Sequence, residues 1–381
     1  MNEDFDEIRP YNDEELPQIF EELIADPAFR QVVCAVMPGV PYEALAAQMR
    51  ACKTKLDFQK TFCYGLLRKL IKEASDGVTL DHTALTDKSG AYTYVSNHRD
   101  IILDSGFLSV MLVEQGMDTV EIAIGDNLLI YPWIKKLVRV NKSFIVQRAL
   151  TMRQKLESSA RMSRYMHHTI RDKKQSIWIA QREGRAKDSD DRTQDSVLKM
   201  MAMGGEGDIV DRLSELNIVP LAISYEFDPC DFLKAQEFQL KRDNPEYKKT
   251  QADDLLNMQT GLYGYKGHVH FQVAPCINAA LAGMDRSLPK PELFARISAL
   301  IDRGIHANYR LYPNNYVAHD LLAGNADMVA HYTAADKKRF ESYVEQQLER
   351  ISLSGKDEDF LRSKLLLMYA NPLTNYLKAK S

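Results

Sequence analysis

Between residues 91 and 273, short β-favouring runs alternate with stretches of helical periodicity, and no other feature narrows the possible folds so much. The runs lie at 92–96, 120–124, 143–146, 176–180, 218–225 and 269–273, with helical candidates at 102–114, 149–171 and 193–216 between them. Strands joined by connections of that length pair mainly in parallel, because only antiparallel neighbours can be linked by a tight turn. The expectation is an α/β fold with a mainly parallel mixed sheet flanked by helices on both faces. Ligands of such sheets bind in loops beyond the carboxyl ends of the strands. Before the sheet, amphipathic segments at 14–24, 41–50 and 56–74 predict helices, and after it so do 293–305, 334–351 and 357–369. Three regions follow: a helical N-terminal domain at 1–85, an α/β domain at 86–285 and a helical C-terminal extension at 286–381. The polar segment 228–266 has little pattern and reads as a surface excursion or lid.

Of 381 residues 45% are apolar and 27% charged, enough for a sizeable core and incompatible with wholesale disorder. No apolar run reaches the roughly 18 residues of a membrane-spanning helix. The opening Met1-Asn2-Glu3-Asp4 is acidic, so no secretory signal is expected. Five cysteines without a Cys-x-x-Cys pair or zinc spacing read as reduced thiols in a cytoplasmic protein. The net charge of −4 hides an asymmetry: residues 132–187 hold fifteen Lys or Arg against three acids. A basic centre in an acidic chain suits a phosphorylated ligand, a nucleic acid or an anionic membrane; the alternative is a series of solvated helix faces. Nucleic acid is not expected as a partner, because the window offers only Trp133, Phe144, Tyr165 and Trp178 for stacking, two of them in predicted strands.

The richest stretch is Asn97-His98-Arg99-Asp100-Ile101-Ile102-Leu103-Asp104, just past a predicted strand. A His whose second ring nitrogen bonds a carboxylate is fixed in one tautomer and becomes a better base. The alternative is a capping His98 with Asp104 an ordinary surface acid. His98-Arg99-Asp100 mimics a kinase catalytic loop, but Ser105 stands where that loop needs Asn and no Asp-Phe-Gly follows. Three further blocks follow in order: Lys142-Ser143-Phe144-Ile145-Val146-Gln147-Arg148, then Gln181-Arg182-Glu183-Gly184-Arg185-Ala186-Lys187, then Ile218-Val219-Pro220-Leu221-Ala222-Ile223-Ser224-Tyr225.

These four blocks resemble the glycerolipid acyltransferase superfamily, whose members carry His-x4-Asp, a Gly-x-x-Phe-Ile-x-Arg block, Glu-Gly-x-Arg and a Val-Pro strand. With Gly267-His268-Val269-His270-Phe271 after the fourth block, the chain looks most like the glycerol-3-phosphate and dihydroxyacetone-phosphate acyltransferase branch. The likeness covers residues 91–278. It departs from the pattern in three places: five residues separate His98 from Asp104, Arg185 follows Gly184 directly, and Asn141-Lys142 stands where glycine is common. Asp104-Ser105-Gly106-Phe107-Leu108 continues as the family does after its Asp, which favours Asp104 over Asp100 as the partner of His98.

The resemblance implies a glycerol-3-phosphate acyltransferase-like fold. It implies transfer of a fatty acyl group from acyl-CoA or acyl carrier protein to a hydroxyl of glycerol 3-phosphate or a related phosphorylated glycerol acceptor, in phospholipid synthesis. His98 would be the general base and Asp104 its orienting acid. Arg148, Glu183, Gly184, Arg185 and Lys187 would form the acceptor site, with Glu183 orienting an arginine or the hydroxyl, or else making a structural salt bridge. No cofactor and no metal are called for. Acylation of a lysophospholipid or an amino-acid lipid, and a non-catalytic membrane-binding relative, use the same blocks. Residues 128–139 mix apolar side chains, Trp133 and cations, which suits a membrane interface or else a core helix with its lysines in water; peripheral contact with an anionic membrane is expected. His268 and His270 share a strand face without an evident third ligand and read as structural, and His167-His168 do not share a helix face.

Overall fold

Strand β6 (Ile218–Tyr225) shows why the α/β pattern works: all eight of its residues are buried. Its alternate side chains part to opposite faces. Ile218 and Ala222 join one core with Met166, Leu213 and Ile301. Val219, Leu221, Ile223 and Tyr225 join the other, with Phe107, Leu108 and Phe271. A strand covered on both sides needs apolar residues at nearly every position, and this one has them. The structure, a computed structural model, describes residues 5–148 and 151–381. The acidic residues 1–4 and the expected helix start at Ala149 and Leu150 lie outside them.

Among the described residues the sheet has seven strands in the order β1-β7-β6-β2-β5-β3-β4. They are β1 (Gly77–Asp81), β2 (Thr93–Ser96), β3 (Glu121–Gly125), β4 (Ser143–Val146), β5 (Ile177–Ala180), β6 and β7 (His268–Val273). Every pairing is parallel except β6 with β7. The fold is therefore α/β with a mainly parallel mixed sheet flanked by helices, and helical segments precede and follow it.

Strand β1 was not expected. It lies inside the N-terminal stretch read as helical, yet it completes the sheet by pairing with β7 from Gly77 opposite His268 to Asp81 opposite Gln272. Residues 228–266 also differ from expectation. They form helices Asp231–Asp243 and Gln251–Tyr263, and Phe232, Lys234, Ala235, Glu237, Gln239 and Asn257 are buried. The expected helix at 193–216 is two helices, Asp195–Met201 and Ile209–Glu215, parted by a glycine-rich turn in which Gly205 and Gly207 take positive φ.

The N-terminal helices Leu16–Ile24, Pro27–Val36 and Tyr42–Ala51 share a core of Leu16, Phe20, Leu23, Phe29 and Met49. Helix Pro132–Val140 turns Trp133, Leu137 and Val140 into that core and leaves Lys135 exposed. Among the described residues no helix is long and apolar enough to cross a membrane. All five cysteines are free thiols.

Helix Lys290–His306 crosses Pro220 of β6 so closely that a methyl on Gly304 would stand 2.6 Å from Pro220 Cγ. Gly304→Ala is expected to destabilise the protein by about 1–3 kcal/mol through overpacking. Thermal melting checks this, and an unchanged Tm would show that helix and strand can part freely.

Candidate active site

Strands β2, β5 and β6 run parallel side by side, so the loops after them converge at one edge of the sheet. These loops carry His98, then Arg182 to Lys187, then Phe227 to Cys230, which leads into the helix bearing Lys234.

The path out of β2 is fixed by Asn97. Its side-chain amide donates to Ile223 O and accepts from Ile223 N, both at 2.8 Å, extending the β2–β6 pairing where the β2 backbone leaves it. Ser96 Oγ accepts from Trp178 Nε1 at 3.0 Å, and the Trp178 ring meets His98 nearly edge-on, with centroids 5.5 Å apart. His98 is thereby seated between the sheet and the following helix, Leu103–Glu114.

Asp104 sits in the first turn of that helix, where the helix dipole favours a carboxylate. It is fully buried, and its Oδ2 lies 2.7 Å from His98 Nδ1. The same oxygen accepts from the Arg99 and Asp100 backbone N–H groups at 2.6 and 3.1 Å. A carboxylate can only accept, so Nδ1 of the neutral ring carries the proton and Nε2 keeps its lone pair. The turn at Ile101–Ile102 takes up the longer His–Asp spacing. Asp100 plays another part: its Oδ1 caps the helix by accepting from Ile102 N and Leu103 N at 2.9 and 2.7 Å. Burial, then the nearby Asp104 charge, pushes the Asp100 carboxyl up from its ordinary range. The Tyr225 phenol at the end of β6 is pushed well up by burial and by Asp104 and Asp100.

The basic residues expected to bind the acceptor fall into two groups. Arg185 donates one Nη2 bond to Asn257 Oδ1 at 2.9 Å, while its buried Nη1 has no hydrogen-bond partner among the described residues. It is also close enough to Asp100 and Asp228 to favour both charges. Gly184, at φ +67°, makes the turn that brings Arg185 there, and glycine takes that conformation without strain. The other cations have carboxylate partners: Arg148 lies 3.3 Å from the exposed Glu183, and Lys187 pairs with Glu237. Burial drops the Lys187 amine to about 8 despite Glu237. Lys142 is at φ +57°, a backbone conformation that favours glycine.

Several neighbours escaped sequence reading. Asn257 lies on a helix in the segment taken for a surface loop, and Gly261 on that helix packs so tightly on Asp100 that any side chain would overlap its Oδ2. The Thr250-x-x-Asp253 capping box that starts this helix was the available signal. Tyr225 and Lys234 had none.

Away from the site, His268, Glu226 and Asp76 place ligand atoms within 4.8 Å of one another, a set a cation could use. These groups are already engaged. Tyr265 donates to Asp76, His268 Nδ1 lies 2.8 Å from Glu226, and Arg339 lies 3.5 Å from Glu226 Oε1 and supplies positive charge. His270 bonds Thr79 and Gln272 instead.

Residues 78–224 match the Acyltransferase family model, from β1 to within one residue of the end of β6, with His98 and Asp104 inside the match. The match supports acyl transfer in general, from an acyl donor to a hydroxyl acceptor, and agrees with the resemblance at superfamily level. No curated protein matches the chain.

Proposed function

We propose that this protein is an O-acyltransferase that moves a fatty acyl group from an acyl-CoA or acyl carrier protein thioester to a hydroxyl of glycerol 3-phosphate or a related phosphorylated glycerol. The observation that carries the reading is the His98–Asp104 pair, with Nδ1 committed to the buried carboxylate and Nε2 available. An alcohol is a poor nucleophile until it loses its proton. His98 Nε2 takes that proton as the alcohol oxygen bonds to the thioester carbonyl carbon. The tetrahedral oxyanion then collapses, the C–S bond breaks, and the imidazolium returns the proton to the departing thiolate. Asp104 stabilises the imidazolium in between. The unpartnered Nη1 of Arg185 is the donor best suited to an acceptor phosphate. Lys187 would join it by exchanging Glu237 for the phosphate, and Arg148 would join it through the guanidinium edge that Glu183 leaves open. Glu183, exposed beside Arg148, would orient that arginine. Because the product is a lipid, peripheral contact with an anionic membrane goes with this reading.

The test is thiol release from palmitoyl-CoA and palmitoyl-acyl carrier protein, with glycerol 3-phosphate, lysophosphatidate or no acceptor. Release that depends on glycerol 3-phosphate supports the proposal. Release with lysophosphatidate alone moves the acceptor to a lysophospholipid. Absence of release with every pair rejects a phosphorylated glycerol acceptor.

A further inference from the structure

The sequence assigns the C-terminal helices no part in the chemistry, yet the residue beside His98 is tied to them. Arg99 is buried and held at three points. Its backbone N–H donates to Asp104, its carbonyl accepts from Lys234 Nζ at 3.3 Å, and its guanidinium makes two bonds to Asp191, Nη1 to Oδ1 at 2.9 Å and Nη2 to Oδ2 at 2.6 Å. Burial works against the Arg99 charge, but Asp191 and its neighbours override it and keep the guanidinium protonated.

Asp191 lies between β5 and helix Asp195–Met201, and residues from the C-terminal region hold that loop. The Tyr309 hydroxyl donates to Asp191 Oδ2 at 2.6 Å, and His306 Nε2 donates to Asp191 O at 2.7 Å. Asp302 accepts from Thr193 N and Oγ1 at 2.8 and 2.6 Å. From the last helix, Glu358–Lys380, Asn371 donates to Asp188 O and Asn375 to Asp190 Oδ1, at 2.8 and 3.1 Å.

The other anchor of Arg99 is tied to the same region. Lys234 pairs with Asp228, whose backbone N–H is 3.1 Å from the Tyr369 hydroxyl, and Tyr343 and Tyr369 both donate to the buried Asp231.

A fully buried Arg–carboxylate pair is a poor source of stability, since the cost of desolvating two charges offsets most of their attraction. What a two-bonded fork does supply is a fixed position and angle. We propose that Asp191, braced by Tyr309, is a positioning residue for His98: by clamping Arg99 it sets the loop that aims the imidazole at Asp104. The C-terminal helices are then part of the catalytic framework. The inference rests on the reading of His98 as the general base.

The experiment compares wild type with Tyr309→Phe and Asp191→Asn. Tyr332→Phe is the control, because it removes a C-terminal hydroxyl bonded to Asp320, away from the Asp191 loop. Two readouts are taken: kcat and KM for thiol release, and the pKa and tautomer of His98 by NMR of isotope-labelled imidazole. Tyr309→Phe is expected to lower kcat about ten-fold with both KM values within about two-fold. It is also expected to move the His98 resonances and pKa, and Asp191→Asn should do more of the same. Tyr332→Phe should leave both unchanged. A Tyr309→Phe protein with wild-type kcat and an unmoved His98 titration would overturn the proposal. The NMR readout needs no turnover. If wild type releases no thiol, the function proposed above fails, and the His98 titration still decides whether Tyr309 and Asp191 position the ring. Tyr309→Phe removes one oxygen from a buried side chain, so it decides the question even where Asp191→Asn fails to fold.

Discussion

His98→Ala is expected to lower acceptor-dependent thiol release by about 10²–10⁴-fold, the range associated with a positioned general base. The protein should remain folded, because what the substitution removes from the core is modest. His98 makes one hydrogen bond through Nδ1 and one edge-on contact with Trp178, an aromatic contact worth about 0.5–1.5 kcal/mol. Kinetics and calorimetry on the same preparation separate the two effects. A folded variant at the wild-type rate would remove His98 from the mechanism, and a large loss of Tm would leave a lowered rate uninterpretable until the folded fraction is known.

The second large effect distinguishes two neighbouring acids. Asp104→Asn keeps the size of the side chain but removes the charge that stabilises an imidazolium, and its amide can present the wrong group to Nδ1. A fall in kcat of about 10²–10⁴-fold is expected, bounded by the loss on removing His98 itself. Asp100→Asn should behave in the opposite way. Its amide oxygen can still accept from Ile102 and Leu103, so the helix cap survives and kcat should stay within a few-fold of wild type.

The stability of Asp100→Asn relative to wild type should also depend on pH. The Asp100 carboxyl is raised in the fold, so the protonated form favours folding and the ionised form opposes it. Below the ordinary carboxylate pKa of about 3.9 the residue is protonated in both folded and unfolded chains and contributes no pH-dependent difference. As pH rises from there through the folded value, wild type loses stability that the Asn variant retains. Denaturant unfolding of both proteins at pH 4 and pH 7 should show the variant gaining relative to wild type at the higher pH. A gain confined to pH 4 would reverse the sign and count against a buried, repelled Asp100.

Much of this architecture was legible because its signals are local. Six strands could be read as short apolar runs between helices, and β4 and β6 have the bounds their sequences suggested. The proximity of His98 and Asp104 was legible too, since a strand end followed by a helix start brings residues so spaced together.

Strand β1 was hidden because Gly77-Val78-Thr79-Leu80-Asp81 is only half-buried at the sheet edge and takes its conformation from a partner far along the chain. The helices in 228–266 were hidden for a different reason. Several of their inward positions are Lys234, Glu237, Gln239 and Asn257, polar residues satisfied by hydrogen bonds and ion pairs within the fold, and a search for apolar periodicity passes over them. The same limit applies to Arg99 and Asp191. A buried ion pair spanning 92 residues leaves no trace in either local segment.

The edge pair β1 and β7 also has a consequence for synthesis. Thr79 and Val269, which meet across it, stand 190 positions apart. At about 5–20 residues per second, a ribosome takes about 10–40 s to deliver β7 after β1 has emerged. Among the described residues β1 pairs with β7 alone, so through that interval it has no strand neighbour there, while β2, β3, β4, β5 and β6 are already available to one another. The sheet can thus grow from its β4 edge across to β6, and the nascent chain depends on β7 to close the side where β1 waits.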